Sequence, residues 1–137
     1  MESAKASPLA GFVLIEIMVV IAIIGILVSV VVPGYQQHVL RSYRLEASGE
    51  LLKIAGLQQM LLAEQARYTA DLTELGYPTV SYLTTTGRFV IEAELTADGY
   101  LLKAAAIGPQ LADISCSQFK LDQYGSKTSS PAPDCWQ

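Results

Sequence analysis

The sequence has few of the residues from which catalytic and metal sites are built. Its 137 residues include one histidine, His38, and two cysteines, Cys116 and Cys135. So few ligands, spread so widely, cannot complete an ordinary zinc site. Neither a P-loop nor a GxGxxG motif occurs in the chain, which removes the common nucleotide-binding signals. No Ser/His/Asp or paired-carboxylate pattern stands out either, so we predict a protein that is not an enzyme and needs no cofactor or metal.

Basic charge is also scarce. Lys and Arg number 9 against 13 Asp and Glu, which gives a formal net charge of -4. A nucleic-acid-binding protein usually carries a clear excess of Lys and Arg on one face. The composition therefore gives nucleic-acid binding no support, although it leaves that partner open.

Charge is almost missing from residues 12–32, where Glu16 is the single ionisable side chain. A run of about 21 mostly apolar residues is long enough to cross a bilayer as a helix. A carboxylate inside such a segment costs a few kcal/mol even on the mildest insertion scales. Either Glu16 lies at the headgroup boundary, where that cost is small, or a specific partner offsets it.

Helical periodicity continues after the apolar run. From Val39 to Leu62 apolar residues recur at three- and four-residue steps, which indicates one face of an amphipathic helix. We therefore predict one long helix from Phe12 to about Ala66 whose second half covers a sheet. Pro33, followed by a glycine, should kink or interrupt this helix.

The rest of the chain predicts strands. The runs GRFVIEAEL and YLLKAAAI flank TADG, an Asp-Gly turn that indicates a hairpin. SQFKLDQ alternates apolar and polar residues and predicts a third strand. In the connector YTADLTELGYP, Gly76 should end a short helical turn and Pro78 should prevent its continuation. The segment GSKTSSPAPD is expected to be a loop.

The two cysteines enclose a polar tail, CSQFKLDQYGSKTSSPAPDC. Two buried free thiols are the alternative, but this context favours a disulfide formed in an oxidising compartment. Closing a loop of about 20 residues would stabilise the fold by roughly 3 kcal/mol in the chain-entropy account.

The placement of basic residues argues against an oxidising compartment for the C-terminal part. Arg41 and Arg44 follow the apolar run, so a positive-inside count would put the C-terminal part in the cytoplasm.

The start of the chain carries the most specific pattern. In GFVLIEIMVVIAIIGILVSVVVPGY, a short leader ends in Gly11, an aromatic Phe12 follows, and Glu16 is the fifth residue after the glycine. This pattern resembles the class III signal of type IV pilins and pseudopilins. The segments RYTADLTELGY and DGYLLKAAAIGPQLADISCSQFKLDQYGSK, with the terminal DCW, are similar to minor pilins of the PilE type. The resemblance covers almost all of residues 11–137, although the leader lacks the usual basic cluster.

This resemblance implies an α+β fold of the ladle-like pilin type. A long N-terminal helix, apolar and transmembrane in its first half, would pack on a small antiparallel β-sheet, with a C-terminal disulfide loop between Cys116 and Cys135. The implied division is a prepilin leader at 1–11, a transmembrane and assembly helix at 12–34, and a globular pilin domain at 35–137.

The implied function is that of a structural subunit of a type IV pilus, a minor pilin rather than the main subunit. The fibre would serve adhesion, twitching motility or DNA uptake. A major pilin of the same system and a pseudopilin of type II secretion are the alternatives. The last loop holds Asp122 and Asp134 as its only carboxylates, whereas a calcium-binding pseudopilin loop would carry more.

The resemblance also implies roles for individual residues. A prepilin peptidase would cleave between Gly11 and Phe12 and N-methylate Phe12. The new amine of Phe12 and Glu16 of a neighbouring subunit would then neutralise each other within the fibre. Gly25 and Pro33 would mark a helix break that unwinds on assembly.

The implied partners are other pilin subunits, the prepilin peptidase, the inner-membrane assembly platform and the membrane itself. The chain would begin as a single-pass inner-membrane protein with a periplasmic C-terminal domain. It would end in an extracellular pilus.

Overall fold

The computed structural model describes residues 13–136. The chain divides into two compact units, residues 1–37 and 38–137. The elements follow in this order: α1 (Leu14–Gln65), a 3₁₀ helix (Leu72–Leu75), β1 (Tyr82–Leu83), β2 (Phe89–Thr96), β3 (Gly99–Ala106), a second 3₁₀ helix (Gly108–Ala112), β4 (Cys116–Asp122) and β5 (Lys127–Pro131).

The described part of the first unit is the apolar portion of α1. Every side chain from Val13 to Gln37 is exposed in the isolated chain. The most apolar stretch has a mean hydropathy of 3.1, and the helix is long enough to cross a membrane. The predicted long helix is confirmed, with ends close to those expected.

α1 continues through Gly25 and Pro33 in the isolated chain, so the helix is not interrupted at Pro33. Unwinding between these two residues on assembly stays a prediction. Proline removes one hydrogen-bond donor and crowds the preceding turn, and long apolar helices tolerate a single proline of this kind. A Cβ at Gly25 would meet no atom within 4 Å, so that glycine is not required by close packing either.

The second unit contains a five-stranded sheet in the order β1-β2-β3-β4-β5. All neighbouring strands are antiparallel. The predicted hairpin is confirmed, since Thr96 pairs with Gly99 and leaves Ala97 and Asp98 in the loop. A Cβ on Gly99 would come within 2.7 Å of the Gln123 side chain. A larger residue at position 99 would therefore displace the Gln123 side chain just after β4.

One segment that the sequence predicts to be a loop forms a strand, β5. β5 lies inside GSKTSSPAPD and pairs with β4 from Leu121↔Lys127 to Cys116↔Pro131. Its serines and threonine give no apolar alternation, so the sequence carries no period-2 signal there. At the edge of a sheet such a strand also tolerates Pro131, since no further strand needs the missing donor.

The core lies between the sheet and the second part of α1. The helix contributes Ala47, Leu51 and Ile54, all fully buried. Alternate residues of β2, β3 and β4 face them, and the rings of Phe89 and Phe119 meet edge to face with centroids 5.9 Å apart. Each large buried apolar side chain contributes about 1.5–3 kcal/mol. The predicted α+β fold, a helix on an antiparallel sheet, is confirmed.

The connector after α1 is tied back to the helix by a buried glutamine. Gln58 Nε2 donates to the carbonyl of Thr69 at 2.6 Å, and the Thr69 N–H donates to Gln58 Oε1 at 3.1 Å. The short helical turn then ends at Gly76, whose φ of 91° is left-handed, as predicted. The sequence reasoning did not assign a role to Gln58.

Candidate assembly helix and interaction surfaces

Glu16 lies in the first turn of α1, and its N–H donates to the carbonyl of Val13 at 2.9 Å. A carboxylate in this position interacts favourably with the positive end of the helix dipole. The predicted cleavage and methylation at Gly11 and Phe12 fall outside the described residues. The Glu16 side chain itself is exposed in the isolated chain.

The apolar portion of α1 presents a surface that water solvates poorly. Its exposed large apolar side chains are Val13, Leu14, Ile15, Ile17, Met18, Val19, Val20, Ile21, Ile23, Ile24, Ile26, Leu27, Val28, Val30, Val31 and Val32. A contiguous apolar surface of this size marks a membrane or protein contact. Such a segment can be satisfied by lipid, by neighbouring helices, or by each in turn.

The helix of the second unit has two different faces. The buried face carries the core residues, while Leu45, Leu52 and Met60 are exposed. These three recur at seven- and eight-residue intervals, which places them on one stripe. The three side chains are accessible to another molecule, and Leu52 also borders a cavity lined by Tyr100 and Leu121 of the sheet.

Four of the eight Lys and Arg side chains in residues 38–136 are paired with carboxylates. The pairs are Arg44–Asp113, Lys53–Glu50, Arg67–Glu74 and Lys103–Glu94. The Lys103 ammonium group lowers the pKa of Glu94 through a hydrogen bond and its charge. Arg88 instead lies over the Tyr43 ring, 4.3 Å from the centroid. Pairing of this kind reduces the positive potential that a phosphate backbone would meet.

The predicted disulfide is present between Cys116 and Cys135, whose Cα atoms are 5.8 Å apart. Both residues are buried. The tail it anchors lies against β5, since the Cys135 N–H donates to Ser129 Oγ at 3.2 Å and Trp136 Nε1 donates to the Thr128 carbonyl at 2.7 Å. The indole also meets Phe119 edge to face, so the tail adds apolar cover to the core.

One carboxylate of the last loop, that of Asp122, accepts hydrogen bonds from the backbone. Asp122 Oδ1 accepts the N–H groups of Tyr124 and Ser126 at 2.9 and 2.8 Å. These bonds, led by that from Ser126, lower the pKa of Asp122. Within residues 13–136 no group of three or more His, Cys, Asp or Glu side chains could hold a metal ion. The residue therefore shapes the β4–β5 turn.

Known families and structures resemble this chain. A family described as "Type IV minor pilin ComP, DNA uptake sequence receptor" matches residues 33–120. The type IV major pilin protein PilA of Myxococcus xanthus is 37% identical over 67 residues, 49% of this chain and 30% of that protein. A fimbrial protein of Pseudomonas aeruginosa is 28% identical over 104 residues, 72% of this chain and 68% of its own length.

Other relatives match mainly over a short stretch. The type IV major alpha-pilin of Moraxella bovis is 54% identical over 41 residues, so this chain covers 26% of its length. The solved structure of a type IV pilin from Shewanella oneidensis superposes with a TM-score of 0.54 at 22% identity, covering 72% of this chain and 98% of that one. At this identity the likeness establishes the fold.

Proposed function

Since the chain belongs to the type IV pilin family, matched over residues 33–120, we propose that it is a minor pilin. Type IV pilins are structural subunits of a fibre, and the family and fold are those of structural proteins. The observation that carries the proposal is the fully exposed apolar portion of α1, which is continuous with the helix that packs on the sheet. Such a segment suits a membrane before assembly and neighbouring helices afterwards.

The minor role rests on the description of the matched family. The abundance of this chain relative to the main subunit in sheared filaments tests it. A ratio well below one supports a minor pilin. Parity with the main subunit, or a chain that makes up the fibre alone, would show a major pilin, and recovery only with a secretion apparatus would favour the pseudopilin alternative.

We propose the sequence divisions as processing and assembly units: leader 1–11, membrane and assembly helix 12–34, and globular domain 35–137. A peptidase that cleaves after Gly11 needs a small residue there, and glycine also supplies backbone freedom. Gly11→Val should leave a full-length precursor, read by intact mass. Gly25→Ala is the matched control, because its Cβ meets no atom within 4 Å and its processing should be normal. A mature Gly11→Val chain would contradict the assignment.

Glu16 is proposed to act in assembly rather than in folding of the globular part. The amine on a processed Phe12 of a neighbouring subunit would lose its partner in Glu16→Ala. Leaving one member of a buried pair uncompensated costs roughly 3–5 kcal/mol. Glu16→Asp retains the charge with a shorter reach and should be intermediate.

The measurement is the amount of this chain in sheared fibres relative to the membrane pool. Glu16→Ala should be processed and membrane-resident but poorly incorporated. Glu64→Ala, which removes an exposed carboxylate from the same helix, should be incorporated normally. Unchanged incorporation of Glu16→Ala would mean that Glu16 is only a boundary residue.

The proposed location is the inner membrane with a periplasmic globular part, followed by an extracellular pilus. The disulfide supports this orientation because such bonds persist in oxidising compartments. The two arginines after the apolar run also argue less strongly against this orientation than the sequence alone suggests. Arg44 is held by Asp113, so one of the two cations after the apolar run is neutralised locally. Protease access in spheroplasts tests the orientation.

DNA uptake is a second candidate role, favoured by the description of the matched family. Lys103 and Lys120 lie directly opposite each other in the β3–β4 register. The net charge of -4 argues for a small contact area rather than a broad basic surface. A short duplex titrated at several salt concentrations tests the role, since each lost phosphate contact reduces the salt slope by about 1.

Lys120→Ala is the informative variant for DNA binding, and Lys53→Ala on α1 is its matched control. Weaker binding with a smaller salt slope in Lys120→Ala alone would support contact through the sheet. Binding that is absent at low salt in the parent protein would remove this candidate while leaving the pilin assignment intact.

A further inference from the structure

The sheet is only partly closed on its β1 side. β2 runs from Phe89 to Thr96, whereas β1 pairs with it only at Val90 and Ile91. Residues 92–96 of β2 therefore have β3 on one side and, within residues 13–136, no strand on the other. An edge of this kind presents backbone N–H and C=O groups that another strand can use.

The free backbone groups on this edge belong to Ala93 and Leu95. Successive residues of an antiparallel strand direct their N–H and C=O groups to alternate sides. The Phe89 carbonyl faces the β1 side, because it accepts from the N–H of Thr84, just after β1, at 2.9 Å. The other odd-numbered residues of β2 face the same way. No loop of residues 13–136 forms a backbone hydrogen bond with Ala93 or Leu95.

A cleft of about 340 Å³ opens beside this edge. The residues that line it are Ala70, Val80, Ser81, Glu92, Ala93, Glu94 and Lys103. The cleft forms because residues 78–81 bend instead of extending β1 along β2. Val80 and Leu95 are 59% and 52% exposed, so apolar side chains also border the free edge. The cleft thus offers space for a side chain next to unpaired backbone groups.

The charge along this edge is negative. Glu92 and Glu94 are both exposed and lie on the same face of β2, since they are two residues apart. Lys103 pairs with Glu94, whereas Glu92 forms no ion pair within residues 13–136. Opposite charges on neighbouring strands are favourable and like charges are unfavourable. A strand added here should therefore carry Lys or Arg opposite Glu92.

We propose that the free edge of β2 binds an extended segment of another protein, which adds a sixth strand to the sheet. Its backbone exchanges hydrogen bonds with Ala93 and Leu95, its basic side chain pairs with Glu92, and a flanking apolar side chain enters the cleft. Strand addition of this kind derives its affinity from main-chain bonds and its specificity from alternate side chains. A second copy of β2 is disfavoured as the occupant, because its own Glu92 and Glu94 would meet like charges.

The test uses the full chain in detergent and the blocked peptide TVKVKVT, read by amide hydrogen exchange of individual residues. Without peptide, the N–H groups of Ala93 and Leu95 should exchange about tenfold faster than those of Glu92 and Glu94, which face β3. Saturating peptide should slow the exchange of Ala93 and Leu95 by about tenfold. The peptide TVEVEVT, which has the same pattern with the opposite charge, should give no protection.

Ala93→Pro tests the backbone contact. The proline lacks the N–H that the peptide would use, and an edge strand tolerates proline where the missing donor faces no partner. Exchange in β3 should stay unchanged, while TVKVKVT should no longer protect Leu95. Ala93→Ser keeps the N–H and should bind the peptide as the parent does.

Glu92→Gln tests the charge contact. It should weaken the binding of TVKVKVT by about two- to fivefold, the range expected for one cross-strand ion pair. Glu64→Gln, which neutralises an exposed carboxylate on α1, should leave binding unchanged. Equal affinities of the parent and Glu92→Gln would exclude Glu92 as the partner of the basic side chain and overturn the stated peptide chemistry.

Four further results would overturn the inference. Slow exchange of Ala93 and Leu95 without peptide would show that the edge is already closed. Protection that grows with the concentration of the chain alone would assign the edge to a second copy. Absence of protection by TVKVKVT would remove the proposed occupant. Equal binding by the parent and Ala93→Pro would place the peptide elsewhere on the molecule.

Discussion

Arg44 and Asp113, 69 positions apart in the chain, form a two-bonded ion pair between α1 and the segment after β3. Nε lies 2.5 Å from Oδ2, and Nη2 lies 2.7 Å from Oδ1. The two parallel bonds are the strongest arrangement available to an arginine and a carboxylate. With the Asp113 side chain 4% exposed and that of Arg44 21% exposed, the pair is largely withdrawn from solvent.

Arg44→Met should therefore be strongly destabilising, because it leaves a buried carboxylate with only Gln110 as a donor. We expect a loss of about 2–4 kcal/mol in the free energy of unfolding. Urea titration of the detergent-solubilised chain, followed by the fluorescence of its single tryptophan, measures this. Arg41→Met, at an exposed position, is the control and should change stability by less than about 0.5 kcal/mol. If Arg44→Met and Arg41→Met both changed the free energy of unfolding by the same small amount, the ion pair would not be important for stability.

Gln58 is the second buried polar group with a defined task. Gln58→Leu would leave the N–H and carbonyl of Thr69 without the partners they have now, at an expected cost of about 2–3 kcal/mol. Amide hydrogen exchange in residues 66–76 should accelerate more than in β3. The matched variant is Gln59→Leu, since the Gln59 side chain is exposed and lies 3.5 Å from the Tyr68 hydroxyl. Protection of residues 66–76 that survives Gln58→Leu would disprove the anchoring role.

Replacing both Cys116 and Cys135 by serine should lower the free energy of unfolding by roughly 3 kcal/mol, as expected for the loop that the bond closes. The double replacement avoids an unpaired thiol that could form intermolecular bonds. Urea titration reads the effect, and thiol titration of the natively purified parent checks its premise. Two free thiols in that sample would show that the bond does not form in the cell.

The connector should also make stability sensitive to acid. Hydrogen bonds from Arg67 and Thr69 lower the pKa of Glu74 below its ordinary value of 4.5. The folded chain therefore binds fewer protons than the unfolded chain in this range. The stabilisation is fully present above about pH 4.5 and is lost as the pH falls through the lowered pKa.

Urea midpoints measured between neutral pH and strong acid test this prediction. Arg67→Met removes the largest cause of the shift and should weaken the dependence near the pKa of Glu74. Lys53→Met, which leaves Glu74 untouched, should retain it. An identical acid dependence in the parent and Arg67→Met would exclude Glu74 as a source.

The sequence predicts the long helix and the central hairpin because both carry repeating apolar patterns. The helix was expected from Phe12 to about Ala66 and runs from Leu14 to Gln65. β5 has no such pattern, so pairing with β4, a tertiary effect, decides its conformation. The helix continues through Pro33 because the proline removes only one backbone donor, a loss that long apolar helices tolerate.

The sequence predicts the side-chain contacts less well than it predicts the helix and the hairpin. Asp113 lies in a segment that reads as an ordinary loop, and no local pattern indicates its partner on α1. Gln58 could have been found, since it interrupts the apolar stripe between Ile54 and Leu61 with a polar side chain. Of the residues predicted to act in processing and assembly, Glu16 lies in the first helical turn, whereas Gly11 and Phe12 lie outside the described residues.

The tail that follows β5 has a further consequence. An unpaired edge strand is a template on which another sheet can grow. Here Trp136 Nε1 donates a hydrogen bond to the carbonyl of Thr128, and the N–H of Cys135 donates to Ser129 Oγ. The disulfide keeps that strip of chain in place. Edge-to-edge stacking of the kind seen in amyloid is thereby obstructed at β5, so the proposed assembly through the helix would not be accompanied by aggregation through this edge of the sheet.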